Sequence, residues 1–371
     1  MSRPFEDLVE RVLAFQRDQR SIPLDTPPED SGFGALALEI FDFQYGALAA
    51  YRGFCDRRGT NPDTIDDWRR IPAVPTAAFK ELDLACAPPE RIFVTSGTTQ
   101  GQERRGRHLV PRLAPYRSGA IAHFERMVLP DGIRPRLLAL LAGPALLPDS
   151  SLVQMVEWIR TDLCAGDDAW LIDQAGFDPE QAATAIEAAG RDGRPLLLFG
   201  VRATFTALLD HLAQRGRTLT LPADSRLVDT GGPKGGRTLS DPGFLSACWQ
   251  RLGIAGYQCI NEYGMTELCS QYYDDVMRER HEGHNAPRRK APPAWLATLA
   301  LDPLSLEPVP DGTSGILAHF DLANLGSTMA VLTEDQGALT GRRLVLHGRT
   351  PGAEPRGCAL AMADLIRAAQ P

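Results

Sequence analysis

Three stretches of this 371-residue chain carry side chains suited to a nucleotide. The first reads Thr95, Ser96, Gly97, Thr98, Thr99, Gln100, Gly101 and follows an apolar triplet. Its glycines let backbone N–H groups close on an anion, and its hydroxyls add donors, a set that suits a triphosphate. It is not a Gly-x-x-x-x-Gly-Lys-Ser/Thr loop, because no Gly-Lys-Ser/Thr occurs. The second reads Asp229, Thr230, Gly231, Gly232, Pro233, Lys234, again after an apolar run. Glycines directly after a strand allow close approach to a planar ligand such as a purine. In the third, Tyr263 and Gly264 precede Met265, Thr266 and Glu267. An aromatic face, a hydroxyl and a carboxylate within five residues can stack a base, touch a phosphate and hold Mg2+. Taken singly, the first stretch is more often just a turn, the second as often a tight loop as a binding loop, and the third proves little.

One thiol stands apart. Cys358 follows Arg356 and Gly357 at the start of an expected helix. A helix N-terminus and a neighbouring cation both lower a thiol pKa. A free thiol has a pKa of about 8.5, so a modest downward shift raises its small thiolate fraction several-fold at pH 7. The plain alternative is a buried structural cysteine, the usual fate of that residue. The other six, at 55, 86, 164, 248, 259 and 269, are dispersed with no Cys-x-x-Cys spacing, which points to free thiols in a reducing compartment. Of these, Cys269 is nearest a motif. His108 and His347 also lie near motifs and receive no role. His281 and His284 have no third ligand at metal-site spacing and read as loop residues.

The elements that must hold these residues follow from periodicity. Helical spacing of Phe5, Leu8, Val9 and Val12, and of Phe41, Tyr45, Leu48, Tyr51 and Cys55, predicts a helical N-terminal region. From about residue 90, short apolar runs at 92–94, 137–141, 170–172, 196–199, 226–228 and 257–260 alternate with helical stretches such as 179–189 and 202–214. That alternation implies an α/β fold with a parallel or mixed sheet. Residues 278–293 gather Arg278, Arg280, Arg288, Arg289 and Lys290 among Pro and Gly and read as a mobile surface loop. Beyond Pro292 and Pro293, runs at 295–301, 316–320, 329–332 and 344–347 predict a small β-rich subdomain, and 358–369 a terminal helix. The expected division is 1–90 helical, 91–290 α/β core, 291–349 β-rich and 350–371 tail.

Net charge is −8 and 43% of residues are hydrophobic, which argues against a nucleic-acid-coating role and against disorder. The longest nearly apolar run, 137–147, is far short of the about 20 residues of a membrane span. The N-terminus shows no secretory pattern, so a cytoplasmic protein is expected.

The three stretches occur in this order, each at the end of an expected strand, where ligands gather in open α/β sheets. Together they resemble the adenylate-forming superfamily of acyl-CoA ligases and luciferases, which join a carboxylate to AMP. The resemblance implies the body of that fold, with ATP and Mg2+ as cofactors. It also implies that Asp335, in Thr333-Glu334-Asp335, binds ribose, and that Arg349, in Gly348-Arg349, does so too. The segment 71–80, Thr230-Gly-Gly and above all 348–360 are similar to the acyl-protein synthetase family of bacterial bioluminescence operons. The likeness covers essentially the whole chain, and it implies that Cys358 becomes acylated. Two departures stand out. The superfamily places Lys soon after the phosphate-loop glycine, whereas here Arg104, Arg105 and Arg107 follow. The chain also ends about 20 residues after Arg349, so the mobile C-terminal domain and its lysine are expected to be missing. Arg104, Arg105, Arg107, Lys234 or a partner subunit then supplies the adenylation cation.

The expected chemistry is ATP-dependent activation of a carboxylic acid, with a fatty acid favoured. Glu267 would hold Mg2+, Thr266 would lie near the α-phosphate and Tyr263 would stack on adenine beside Gly231 and Gly232. Phe199, Gly200 and Val201 would line the acyl pocket. The acyl group would pass to Cys358 and then to a partner reductase. Two alternatives stand beside this: delivery to CoA or an acyl carrier protein, and a non-catalytic scaffold.

Overall fold

The structure, a computed structural model, describes residues 5–18, 22–95, 105–231, 241–349 and 356–369, with side chains from 360 onward in the last segment. Its contacts divide the chain into two units. One comprises Met1–Ala120, Met265–Gln271 and Lys290–Pro371, the other Ile121–Gly264 and Tyr272–Arg289.

In the first unit, the helix Phe5–Asp18 buries Leu8, Val9 and Val12 on one side, as a 3.6-residue period requires. Helices Phe33–Ala47 and Ala49–Arg57 follow. The Tyr51 ring meets Phe41 edge-on at 6.1 Å and Phe54 in an offset stack at 6.4 Å. The antiparallel sheet of this unit runs Leu296–Leu301, Ser314–Asp321, Ala330–Thr340, Arg343–Arg349, Lys290–Ala291 in spatial order. Val74–Pro75 joins Ala330–Thr340 in parallel. A separate hairpin pairs Arg91–Val94 with Arg107–Val110, and the residues connecting its strands are those of the first motif. The helix Arg356–Ala369 returns to Ala49–Arg57. There Arg57 donates to the Arg367 carbonyl at 2.9 Å, and Arg58 pairs with Asp364 at 3.3 Å. Ala361 and Leu365 form its buried side.

In the second unit the sheet runs Tyr272–Asp274, Cys259–Tyr263, Arg226–Thr230, Leu196–Val201, Arg136–Ala142, Ala169–Asp173, Gly176–Phe177. The five inner strands are parallel and the two outer ones antiparallel. Strands covered on both faces read as unbroken apolar runs, as Leu196, Leu197, Leu198 and Phe199 do. Helices Pro179–Gly190, Arg202–Gln214 and Asp241–Leu252 cover one face, where Ile186, Phe205, Leu209 and Phe244 meet Leu138, Leu198 and Leu227.

The α/β expectation holds. Two local expectations do not. Residues 256–258 form a 3-10 turn and the strand is Cys259–Tyr263, not 257–260. The Gly256 carbonyl is taken by Arg288 at 2.6 Å, and the Gln258 N–H turns back to Ala255. Residues 278–293 are not simply a surface loop. Val276–His281 is helical and Lys290–Ala291 is a strand. Arg288 donates to Asp274 at 2.6 Å, and Arg289 lies 3.9 Å from Asp275, both carboxylates being buried. Counting cations gave no sight of these partners. Among the described residues no helix is long and apolar enough to cross a membrane.

Candidate active site

The third motif leaves its strand at Tyr263 and enters a turn closed by the Leu268 N–H on the Met265 carbonyl. In the first unit this turn is fixed from several sides. His108 Nδ1 donates to the Thr266 carbonyl at 2.6 Å, and its Nε2 faces Asn324 Oδ1 at 2.8 Å. Asn324 Nδ2 donates to the Glu267 carbonyl at 2.9 Å and to that of Thr328 at 2.8 Å. Asp321 accepts from the Cys269 N–H at 2.8 Å and the Ser270 hydroxyl at 2.7 Å. Both His108 ring nitrogens face oxygen acceptors, which favours the charged ring. Burial opposes the charge and holds the His108 pKa below the ordinary histidine value. Burial also pushes Asp321 up to about 6, against the donors that favour its charged form.

Glu267 is half-buried at the end of this turn. It shares an electrostatic cluster with Asp335 and Arg349, residues far from it in the chain. Arg349 Nε donates to Asp335 Oδ1 at 2.9 Å and also lies 3.8 Å from Glu334. Burial works against the guanidinium charge, but Asp335, Glu334 and Glu267 outweigh it and raise the Arg349 pKa. Asp335 and Arg349 are cross-strand partners, so the sheet register itself sets the pair. The carboxylates of Glu267 and Asp335 are hard oxygen donors of the kind Mg2+ takes.

The first motif begins at Thr95. Its Oγ1 accepts from the Gly106 N–H at 2.9 Å, and its carbonyl accepts from Arg105 Nε at 2.6 Å. Arg107 pairs with Asp83 at 3.0 Å. Two of the candidate adenylation cations are therefore engaged. Ser96, Gly97, Thr98, Thr99 and Arg104 lie outside the described residues, as do Gly232 and Lys234.

In the second unit, Val201, Thr230 and Glu262 are register partners across three adjacent parallel strands. The acyl-pocket candidates and the second motif therefore share one strand end. The Thr230 hydroxyl donates to the Glu262 carboxylate. Gly231 sits at φ +78° with open space where a side chain would go, a left-handed conformation that favours glycine. Phe199 is fully buried, and Gly200 lies against Leu140, Thr204 and Phe205. Tyr263 is 8% exposed, with its ring 5.6 Å from that of Tyr272. Gly264 ends the first segment of this unit. Arg202 holds Asp229 at 2.5 Å and Asp241 at 2.9 Å, one residue on either side of the second motif's loop.

The remaining thiols are sequestered. Burial pushes Cys55, Cys86 and Cys164 up to about 12, and pushes fully buried Cys269 up as well. Cys248 is raised by its hydrogen bond with Cys259 and by burial. Cys358 falls on the third residue of the helix Arg356–Ala369, and its side chain is outside what is described. His347 is occupied at 2.9 Å by Ser314. His284 bonds Glu279 at 3.1 Å, and with Glu282 these form an exposed group of potential ligand atoms within 4.8 Å of one another.

Sequence reasoning missed Arg202, Asn324 and Asp321, and left His108 without a role. Arg202 had one signal, a charged residue placed directly after a buried strand. Asn324 and Asp321 had none, because their partners lie some 50 residues or more away in the chain.

The mixed α/β fold is shared with solved adenylate-forming ligases. 2-Hydroxyisobutyryl-CoA ligase, in the postadenylation state with R3-HIB-AMP, shares the fold with a TM-score of 0.60 at 16% identity. The match covers 96% of this chain and 71% of that one. The chain belongs to the LuxE acyl-protein synthetase family, whose model matches residues 169–366, and it is a ligase. It is 20% identical over 351 residues to the long-chain-fatty-acid–luciferin-component ligase of Vibrio harveyi, and 23% identical over 352 residues to that of Aliivibrio fischeri. Each match covers 90% of this chain and 88% of the relative. The chain spans 47% of the length of ATP-bound MatB from Rhodopseudomonas palustris (16% identity, TM-score 0.46, 70% of this chain).

Proposed function

We propose that the protein uses ATP to activate a fatty acid as an acyl-adenylate and then takes the acyl group on Cys358 as a thioester. The observation that carries this is the grouping of Glu267, Asp335 and Arg349. Three positions distant in sequence, assigned to metal and ribose, form one charged cluster. In the first step a carboxylate oxygen attacks the α-phosphorus of ATP and pyrophosphate leaves. Both reactants are anionic, so charge must be offset. Mg2+, when bound, neutralises phosphate charge, and Glu267 and Thr266 offer it or the α-phosphate hard oxygen contacts. Asp335 accepts from the ribose hydroxyls, with Arg349 beside it. Tyr263 stacks on adenine next to Gly231, and the segment 199–201 lines the acyl slot, where each buried methylene contributes about 0.8 kcal/mol. In the second step the Cys358 thiolate attacks the acyl carbonyl and AMP leaves. The sequestration of the other described thiols supports this choice. Residues 350–371 act as the carrier tail.

The names of the curated relatives, which speak of a long-chain fatty acid and a luciferin component, support a long-chain fatty acid as substrate, and we infer delivery to a partner reductase in the cytoplasm from the sequence resemblance. The test is intact-protein mass spectrometry after incubation with ATP, Mg2+ and a panel of fatty acids, without CoA or carrier. The wild-type protein should gain one acyl group on Cys358. Cys358→Ala should lose the label and keep pyrophosphate exchange. Label retained in Cys358→Ala, or seen only when CoA or a carrier is added, defeats the thioester assignment. Absence of both label and pyrophosphate exchange defeats the reading as a whole.

A further inference from the structure

His108 was left without a role by the sequence, yet it is the point where the hairpin bearing the first motif touches the backbone of the third. It is 1% exposed and stacked edge-on against Phe79, ring centroids 5.6 Å apart. Its Nδ1 and the Asn324 carboxamide take the carbonyls of two consecutive residues, Thr266 at 2.6 Å and Glu267 at 2.9 Å. The orientation of Asn324 is not free to invert. Its Nδ2 faces two carbonyls, those of Glu267 and Thr328, so its Oδ1 must face His108. The Asn324 backbone is held in turn, since Gln44 Nε2 donates to the Leu325 carbonyl at 2.9 Å and that of Asn324 at 3.3 Å. A carbonyl fixed in direction fixes the peptide plane that carries it, and two consecutive fixed planes fix the Cα between them, here that of Glu267, from which its side chain departs.

We propose that His108 and Asn324 are positioning residues that set the two peptide planes on either side of the Glu267 Cα, and so aim the Glu267 carboxylate at the metal–nucleotide. The proposal rests on the functional reading above. Displacement of supporting groups by about 1 Å costs on the order of a hundredfold in rate in such sites, so the arrangement has to be stiff, and a doubly held pair of carbonyls makes it so.

The experiment compares full-length wild-type and His108→Gln protein in two arms. The first is amide hydrogen exchange without ligands, which does not depend on any activity. The segment 265–268 should exchange about tenfold faster in the variant, while 226–230 is unchanged. The second is pyrophosphate exchange. The half-saturating Mg2+ concentration should rise about tenfold while KM for the fatty acid stays within about twofold. Unchanged exchange at 265–268 overturns the proposal, as does an equal shift of the Mg2+ and acid dependences. If wild type lacks pyrophosphate exchange, the functional reading fails and the first arm still decides whether the clamp exists. Should His108→Gln not fold, the ring 15N resonances of wild-type His108 decide instead. A proton on Nδ1 is expected, and a bare Nδ1 overturns the clamp.

Discussion

Asp335 and Arg349 face each other across adjacent antiparallel strands, and the guanidinium Nε donates to the carboxylate at 2.9 Å. The pair joins Thr333-Glu334-Asp335 to Gly348-Arg349, two short motifs whose connection is invisible until the strands are in register. Replacing Asp335 by Ala removes both the proposed ribose acceptor and the partner that orients Arg349. The half-saturating ATP concentration should rise about tenfold or more, equivalent to about 1.4 kcal/mol. Thermal stability should fall only modestly, because Asp335 is 8% exposed but its partner Arg349 remains largely solvated. Nucleotide affinity equal to wild type in a calorimetric titration would remove Asp335 from the site.

Behind this pair lies His319, fully buried, its Nδ1 2.9 Å from the Thr298 hydroxyl. Burial lowers its pKa to about 4, with Asp335 pulling weakly the other way. Between pH 6.5 and 4 the unfolded chain takes a proton that the native chain refuses, so stability falls as pH falls through that window. A shift of this size amounts to about 3 kcal/mol. Denaturant melts of His319→Gln between pH 4 and 7 should therefore show a flatter acid limb than wild type. Parallel curves would remove His319 as the cause.

Asp321 works in the opposite sense. Its native pKa, raised to about 6 by burial, lies above the ordinary carboxylate value. The native state holds a proton between roughly pH 4 and 6 that the unfolded chain has lost, so stability falls as pH rises there. Asp321→Asn should be less stable at every pH, because an amide has a single acceptor oxygen and cannot take both the Cys269 N–H on one side and the Ser270 hydroxyl and Ala323 N–H on the other. Its deficit relative to wild type should shrink from pH 4 to pH 6, as read by the same melts. A deficit that grows with pH contradicts the assignment.

Gly200 tests the proposed acyl slot. A Cβ there would come within 2.9 Å of the Leu140 Cβ, 3.1 Å of the Thr204 hydroxyl and 3.2 Å of the Phe205 ring. Overpacking of this kind costs about 1–3 kcal/mol. Gly200→Ala should lower the melting temperature and shift preference toward shorter acids in pyrophosphate exchange. An unaltered chain-length profile in a folded variant would move the slot elsewhere.

Much of the frame was readable from residue order. The parallel strands announce themselves because burial on both faces leaves unbroken runs such as 196–199. The helices 202–214 and 179–189 were placed to within a residue. What escaped was whatever depends on partners distant in the chain. Arg288 and Arg289 looked like solvated cations, yet they end on buried Asp274 and Asp275. Asn324 is an unremarkable residue in sequence and becomes the hub of the Thr266–Glu267 turn only when the fold brings 267 and 108 to it. The nucleotide motifs were legible as types of residue, whereas their stiffening was not, since it is built from single side chains with no local pattern.

Cys358 follows Arg349 by nine residues. Nine residues span at most about 30 Å, and less here because the last three of them are helical. One end is tied through Arg349 to Asp335. The other belongs to a helix seated on Ala49–Arg57 by Leu365 and by the Arg58–Asp364 pair. A cargo on this thiol therefore cannot lie farther from Arg349 than that covalent length, and a recipient beyond it must bring its own acceptor to the protein.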